Sequence, residues 1–247
     1  MLKQDRKISA PTVRKYIDSI KIKQPDVYPS RVILLIDTTY FKRVFGVTVF
    51  RDSRTCKNIA YQFVMHENIS SIESVIANLK RKGFVVDAIV TDGKRGVLTL
   101  FPNIPTQMCH FHQKQIVLKY LTMKPKLEAG KELSKTANKL GVCNSIAFNS
   151  LLNDWYERWN EFLREKTYSE DGNHWSYTHD RLRKAYYSLQ RNLAYLYTYE
   201  KYNYLVIPTT TNGLEGYNSH LKEKVRLHRG LSLQRKLKII SHIICKG

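Results

Sequence analysis

Three stretches rich in Val, Ile, Phe and Tyr follow one another along the first third of the chain, separated by short polar breaks. They are RVILLIDTTYF (31–41), VFGVTVFRD (44–52) and NIAYQFVM (58–65). β-Branched and aromatic residues favour extended backbone, and the polar breaks are short enough for turns between neighbouring strands. The pattern therefore predicts three strands in an antiparallel meander.

The spacing of apolar residues then alternates between helical and extended. It is helical in SIESVIANLKRKG (71–83), where Gly83 is placed to end the helix. The next segments predict a buried strand, FVVDAIVTD (84–92), a short helix, KRGVLTLF (94–101), and a fifth strand, PTQMCHF (105–111). The order β-β-β-α-β-α-β is that of the ribonuclease H-like fold, an α/β (α+β) arrangement with a mixed sheet flanked by helices.

Helical patterns dominate the remainder of the chain. They predict helices in QKQIVLKYL, KLEAGKELSKTANKL, IAFNSLLNDWYERWNEFLREK, and a long segment from about Trp175 to Tyr202, whose aromatic residues we interpret as core. After Pro208, Thr211 or Asn212 can cap a final helix.

A short amphipathic helix is predicted near the N-terminus in SAPTVRKYIDSIKIK, where Ser9 can cap it and Pro25 and Pro29 mark a linker. It is similar to the second helix of a helix-turn-helix without its first. We therefore expect a remnant of a DNA-binding region in residues 1–30, a catalytic core in 31–122, a helical insertion in 123–205, and the C-terminal helical part of the core in 206–247.

The composition is that of a folded chain, because 247 residues with 43% hydrophobic and 11% aromatic content can bury a sizeable core. No apolar run approaches the roughly 20 residues that cross a bilayer, and the N-terminus lacks the apolar core of a signal peptide. We expect a cytoplasmic protein, associated with the nucleoid if the source is bacterial, with no membrane partner.

The net charge of +20, from 41 basic and 21 acidic side chains, predicts a polyanionic partner such as DNA. A ribosomal-type structural protein or a merely basic surface are the alternatives. The four cysteines form no Cys-x-x-Cys pair, so neither a disulfide framework nor an all-cysteine zinc ribbon is indicated.

Two carboxylates interrupt strands that are otherwise apolar. Asp37 lies within VILLIDTTYF and Asp92 ends AIVTDG, where Gly93 permits a sharp turn. A buried carboxylate without a partner costs several kcal/mol or more, so each must be paired, protonated or bound to a cation. The first and fourth strands of this fold are neighbours, so the two acids are expected to lie close together and to bind Mg²⁺ or Mn²⁺, which prefer hard oxygen ligands.

A third carboxylate from a helix would complete a site for two ions, and Glu215 is the best placed, on a small and polar helix face with Gly213, Gly216 and Asn218. Each acid also has a structural alternative. Asp37 can cap a strand end, and Asp92 can form an Asx-turn before Gly93. Other helical acids, Glu223, Glu157 and Asp154, compete with Glu215 from the sequence alone.

The motifs IDTTYF, VTDG, MCHFH and TTNGLEGYNSHLK, in this order, resemble those of the DDE transposases of the Mutator-like (MULE) type and of related bacterial insertion-sequence transposases. The resemblance covers residues 31 to about 230. It implies that Asp37, Asp92 and Glu215 are the catalytic, metal-binding triad for nicking at transposon ends and for attack of the freed 3′-hydroxyl on target DNA. It also implies a homodimer or larger assembly on DNA.

The resemblance also accounts for the Cys-x-x-His signature formed by Cys109 and His112. No second pair of ligands is evident, so zinc is not expected. We interpret the pair as organising the active-site end of the fifth strand, with His110 as a bystander. The basic residues expected to contact DNA phosphates are Lys94, Arg95, Lys222, Lys224, Arg226 and Arg229, although each taken singly can be a solvated surface charge.

Members of the family usually have a fuller N-terminal DNA-binding region than this chain, which suggests a truncated copy or the product of an interrupted reading frame. Three functions therefore stay open at this point. They are an active transposase, a catalytically inactive DNA-binding remnant of one, and a ribonuclease H-like nuclease or junction resolvase.

Overall fold

The computed structural model describes residues 9–42, 44–66, 68–171, 173–227 and 230–246. The strands are β1 (Arg31–Phe41), β2 (Phe45–Asp52), β3 (Asn58–Val64), β4 (Val85–Thr91), β5 (Thr106–Met108), β6 (Lys166–Tyr168) and β7 (Trp175–Tyr177). The helices are α1 (Ala10–Ser19), α2 (Ile69–Arg81), α3 (Arg95–Leu98), α4 (His110–Leu121), α5 (Glu128–Asn138), α6 (Ser145–Arg164), α7 (Asp180–Leu196), α8 (Thr198–Lys201), α9 (Asn212–Leu227) and α10 (Leu233–Ile244). None of the helices in these ranges is both long enough and apolar enough to cross a membrane.

Five strands form one mixed sheet in the order β3-β2-β1-β4-β5. β2 and β3 are antiparallel, with Gly46 opposite Val64, whereas β4 and β5 are parallel, with Ile89 opposite Thr106. The predicted mixed α/β sheet flanked by helices is therefore confirmed, as are the three successive strands in residues 31 to 64.

The chain divides into two compact units. The first comprises residues 1–30, 37–85 and 213–247, and the second comprises 31–36 and 86–212.

In the first unit, polar contacts fix the terminal helices. Arg235 of α10 donates to both carboxylate oxygens of Asp18, at 2.9 and 2.7 Å. Ser9 accepts from the backbone N–H of Thr12, so the predicted N-terminal cap of α1 is confirmed. Gly83 follows α2 with φ of +91°, a conformation that glycine adopts without strain, and the predicted end of this helix is confirmed as well.

The outer edge of β3 is paired with a side chain. The Gln24 amide donates from Nε2 to the carbonyl oxygen of Tyr61 at 3.0 Å, and its Oε1 accepts from the Tyr61 backbone N–H at 3.1 Å. The Tyr61 hydroxyl also donates to the carbonyl of Lys23 at 2.8 Å. These bonds satisfy strand groups that an edge strand otherwise leaves open.

The second unit has a helical core in which aromatic rings stack. Tyr186 of α7 packs against Trp155 and Tyr156 of α6, with ring centroids 5.2 and 4.9 Å apart. The Trp155 indole N–H donates to the carbonyl of Ala129 in α5 at 3.0 Å, so its polar atom is satisfied within the core. Tyr186 is therefore a core residue, as predicted for the aromatic residues of the long segment, whereas Trp175 of that segment is 50% exposed.

Two predicted elements are wrong in extent. The fifth strand ends at Met108 instead of Phe111, because the backbone at Cys109 turns to begin α4. The predicted long helix from Trp175 to Tyr202 is wrong at its start, since Trp175–Tyr177 form β7, which pairs with β6 in a hairpin. The turn of this hairpin contains Asp171, whose Oδ1 accepts from the Asn173 backbone N–H at 3.2 Å, a typical Asx-turn.

Gln24→Ala should lower the free energy of unfolding by about 1–2 kcal/mol, because two hydrogen bonds are lost and the edge groups of Tyr61 lose their partner. Urea denaturation measures the change. Gln234→Ala on the exposed face of α10 is the matched control and should leave stability within about 0.5 kcal/mol. Equal stability of the two variants would contradict a structural role for Gln24.

Candidate functional site

Asp37 lies on β1 directly after five buried residues, and its carboxylate is half-buried. The Asn218 side chain of α9 donates from Nδ2 to Asp37 Oδ2 at 2.7 Å. Asn218 is only 4% exposed, and its Oδ1 is buried without a hydrogen-bond partner in the part of the chain that the structure describes. A buried amide that donates a hydrogen bond to one carboxylate oxygen fixes the orientation of that carboxylate.

Helix α9 also contains the third predicted acid. Its buried residues, Leu214, Asn218, Leu221 and Val225, follow helical spacing and fix the rotation of the helix. Glu215 lies in the first turn, where the helix dipole favours a negative charge, and it is half-buried. It precedes Asn218 by three positions, so the two side chains project on neighbouring faces of the helix.

Gly213 and Gly216 leave space on this helix. A Cβ added to either glycine would meet no atom within 4 Å in the described part of the chain. Packing within the chain therefore does not require glycine at these positions, and this face of α9 can admit a ligand.

Asp92 follows β4 and is held by its own turn. Its Oδ1 accepts from the Lys94 backbone N–H at 3.1 Å and from the Thr91 hydroxyl at 3.3 Å. This is the Asx-turn that was the structural alternative for this residue. Gly93 has φ of +89°, and a Cβ there would lie 2.2 Å from Met108 Cε, so both backbone conformation and space require glycine.

A solvent-open cleft of about 620 Å³ adjoins Asp92 in the second unit. Its charged and ionisable lining residues are Asp92, Lys94, His112 and Lys119. Two ammonium groups beside one carboxylate favour an anion or a phosphate ester as the occupant of this cleft. The carboxylate can then bind a cation that accompanies the anion.

Cys109 is fully buried at the N-terminus of α4. Its sulfur accepts from the backbone N–H and the hydroxyl of Thr211, at 3.4 and 3.3 Å. Burial raises the pKa of the Cys109 thiol, but hydrogen bonds from His112 and Thr211 together outweigh it, so the pKa lies below its ordinary value. Cys109 thus joins the end of β5 to the segment before α9. The organising role of Cys109 and His112 at the active-site end of β5 stays a prediction.

His110 is a structural residue. Its Nε2 lies 2.6 Å from the carbonyl oxygen of Leu196, which requires that Nε2 holds the proton. Its Nδ1 is buried without a hydrogen-bond partner among the described residues, and burial lowers the pKa of the imidazole. The ring lies 5.9 Å from those of Tyr197 and Tyr199, so His110 packs in the core of the second unit.

The basic residues predicted to contact DNA are distributed over both units. Lys94 is half-buried after Asp92, and Lys222, Lys224 and Arg226 are exposed on α9. The side chain of Arg95 and the whole of Arg229 lie outside the described residues.

A groove of about 1150 Å³, which includes its solvent-open mouth, lies in the first unit. We call it the basic groove, and its defining residues are Tyr40, Phe41, Lys222, Arg226 and Lys236. The prediction from sequence included Lys222 and Arg226 but missed the other three. The signal was present as YFKR at the end of the Asp37 strand, where two aromatic residues are followed directly by two basic ones.

Comparisons with known proteins do not assign this chain to a class. No family model matches it, and neither the curated proteins nor the solved structures include a significant match. Its function is therefore argued from its own residues.

Thr211→Val should raise the pKa of the Cys109 thiol, because the variant loses the hydroxyl that donates to sulfur while keeping a similar volume. The thiolate absorbance near 240 nm would be titrated in a chain whose other three cysteines are replaced by serine. Thr210→Val is the neighbouring control and should leave the midpoint unchanged. An unchanged midpoint in Thr211→Val would contradict the proposed stabilisation of the thiolate.

Acidification should destabilise the protein through His110. Because its pKa is lowered in the folded state, the unfolded chain binds an additional proton below about pH 6.5, and stability falls as the pH falls. Urea denaturation at pH 7 and pH 5 should show a smaller loss for His110→Gln than for the wild type. The exposed His220, replaced by glutamine, is the control, and equal losses in both variants would refute the assignment.

Proposed function

We propose that this chain is a metal-dependent DDE-type transposase with a ribonuclease H-like core, which cleaves DNA at transposon ends and transfers the freed 3′-hydroxyl to target DNA. The observation on which the proposal depends is the half-buried Asp37 on β1, oriented by Asn218 from the helix that also bears Glu215. A hydrogen bond from a buried side chain fixes the direction of a carboxylate, as a site that binds a ligand in one geometry requires.

The sheet supports the choice of fold. Its order, β3-β2-β1-β4-β5, makes the strand of Asp37 and the strand before Asp92 neighbours, as the ribonuclease H-like arrangement requires. The antiparallel pair β2–β3 and the parallel pair β4–β5 agree with the mixed character of such a sheet.

The donor set supports the choice of metal. Three carboxylates offer hard oxygen atoms, which suit Mg²⁺ or Mn²⁺, and both ions also coordinate phosphate oxygens. One or two such ions would activate a water or a 3′-hydroxyl and stabilise the leaving oxygen. In this proposal Asp37, Asp92 and Glu215 hold the ions, Asn218 fixes the direction of Asp37, and Lys94 contacts a phosphate beside Asp92.

The charge of the chain supports DNA as the substrate. A net charge of +20 favours a polyanion, and Lys222, Lys224 and Arg226 expose their cations along α9. Together with Arg95 and Arg229, these residues are proposed to bind phosphates, in a homodimer or larger assembly on paired DNA ends.

A second candidate is a DNA-binding protein without catalytic activity. It is favoured by the Asx-turn of Asp92, which gives this acid a structural role that needs no metal. A ribonuclease H-like nuclease or resolvase shares the acids with the first candidate and differs in its products, since it would cleave DNA without joining strands.

Calorimetric titration with Mn²⁺ tests the metal site. The wild type should bind the ion, and Asp37→Asn, Asp92→Asn and Glu215→Gln should each weaken binding at least about tenfold, because each removes one charged ligand. Asp154→Asn on the exposed face of α6 is the matched control and should bind as the wild type does. Circular dichroism would establish that every variant is folded.

The pattern of losses separates the candidates. Weakened binding in all three variants places the acids in one site, and strand-transfer assays with transposon-end DNA then distinguish a transposase from a nuclease. Loss in Asp37→Asn and Glu215→Gln but not in Asp92→Asn would assign Asp92 to its turn alone and would overturn the DDE triad. A wild type that binds no metal, even with DNA present, would leave the DNA-binding protein as the function.

A further inference from the structure

The basic groove combines an aromatic wall with a basic one. On the side of β1, Tyr40 is 38% exposed, and Phe41 is half-buried with its ring stacked on that of Phe45, at 5.1 Å between centroids and 17° between planes. The stack on Phe45, which is itself buried, holds the Phe41 ring in one orientation. A fixed ring that faces a solvent-open groove is a platform on which a planar group can stack.

The lining residues from α9 and α10 include the basic ones. Lys222 and Arg226 lie four positions apart on α9, a spacing at which two like charges repel each other. Lys236 of α10 joins them, and none of the described residues that line the groove is acidic. Arg235 and Lys238 are on the same helix as Lys236, but both hydrogen-bond to Asp18 within the chain. The cations of the groove are therefore suited to an anion from outside the chain.

The backbone at the end of the groove is strained. Lys42, which also lines the groove, has φ of +53°, a conformation that costs a residue with a Cβ about 1 kcal/mol. Glycine or asparagine would relieve this cost in a hairpin turn. A strained lysine at a groove that already has three cations agrees with a role for its charge in binding.

We infer that the basic groove binds single-stranded DNA, with phosphates on Lys222, Arg226 and Lys236 and an unpaired base stacked on Tyr40 or Phe41. Stacking platforms within basic grooves are the general means by which proteins bind single strands. The bases of a duplex are paired and stacked on one another, so the aromatic wall favours a single strand. The net charge of +20 disfavours a second copy of this chain as the occupant.

This inference names the form of DNA that the first unit holds. It rests on the proposed function for its biological setting. Binding in the groove does not require the three acids or a metal ion, so it can be tested separately from catalysis.

Fluorescence anisotropy in the presence of EDTA measures the affinity for an oligothymidine of about twelve nucleotides, for an abasic strand of equal length, and for a duplex. The wild type should prefer oligothymidine over the abasic strand by about fivefold or more, because only the former offers bases to stack. Tyr40→Leu and Phe41→Leu should reduce this preference while leaving the salt dependence unchanged. Tyr40→Leu alone suffices if the half-buried Phe41 proves necessary for folding.

The double variant Lys222→Ala/Arg226→Ala should weaken the binding of both single strands and lower the slope of log K against log salt by about 1.4, as the loss of two phosphate contacts predicts for a single strand. Lys21→Ala/Lys57→Ala removes two exposed charges from the same unit outside the groove and is the matched control. It should change the slope less.

Three results would overturn the inference. The first is equal affinity of the wild type for oligothymidine and for the abasic strand. The second is a duplex that binds as tightly as the single strand and loses as much affinity in Tyr40→Leu. The third is self-association that Tyr40→Leu abolishes, which would make the groove an interface between copies. A wild type that binds no Mn²⁺ but still prefers single strands would overturn the proposed function and leave this inference intact.

Discussion

The fold depends on the placement of one carboxylate within an apolar strand. Asp37 follows five buried positions of β1 and is itself half-buried, so an unpartnered charge here would destabilise the folded chain. The amide of Asn218 supplies the partner, at the level of α9 where Leu214 and Leu221 are buried one turn to either side. Because one short hydrogen bond and a row of apolar contacts must be made together, α9 has little freedom to rotate.

The fixed rotation of α9 gives its remaining faces their roles. One stripe of α9 is buried and consists of Leu214, Asn218, Leu221 and Val225. The positions just beside this stripe are partly or fully exposed. Glu215 lies beside the stripe near the start of the helix, and Lys222 and Arg226 lie beside it toward the end, where they line the basic groove. The negative charge is thus at the helix end that favours anions, and the positive charges are toward the end that favours cations.

The sequence predicts the regular parts of the sheet well, because the β-branched residues of β1 to β4 specify strands locally. It predicts β5 too long, since the apolar run through Phe111 hides the point where the Cys109 backbone begins a helix. The β6–β7 hairpin was missed because its Trp and Tyr residues fit a helix as well, although the turn residue Asp171 signals a break. The bond from Asn218 to Asp37 joins residues 181 positions apart, and no local pattern encodes such a partnership.

The hydrogen bonds of Gln24 to Tyr61 have a consequence for how the chain meets other copies of itself. A sheet with an open margin can be extended by any strand that arrives, which is the common first step of fibre formation. Here an amide side chain occupies part of one margin, and at the other the Thr198 hydroxyl donates to the carbonyl of Thr106 at 2.8 Å. These contacts leave less of each margin open to an arriving strand, so they disfavour association of copies through the sheet.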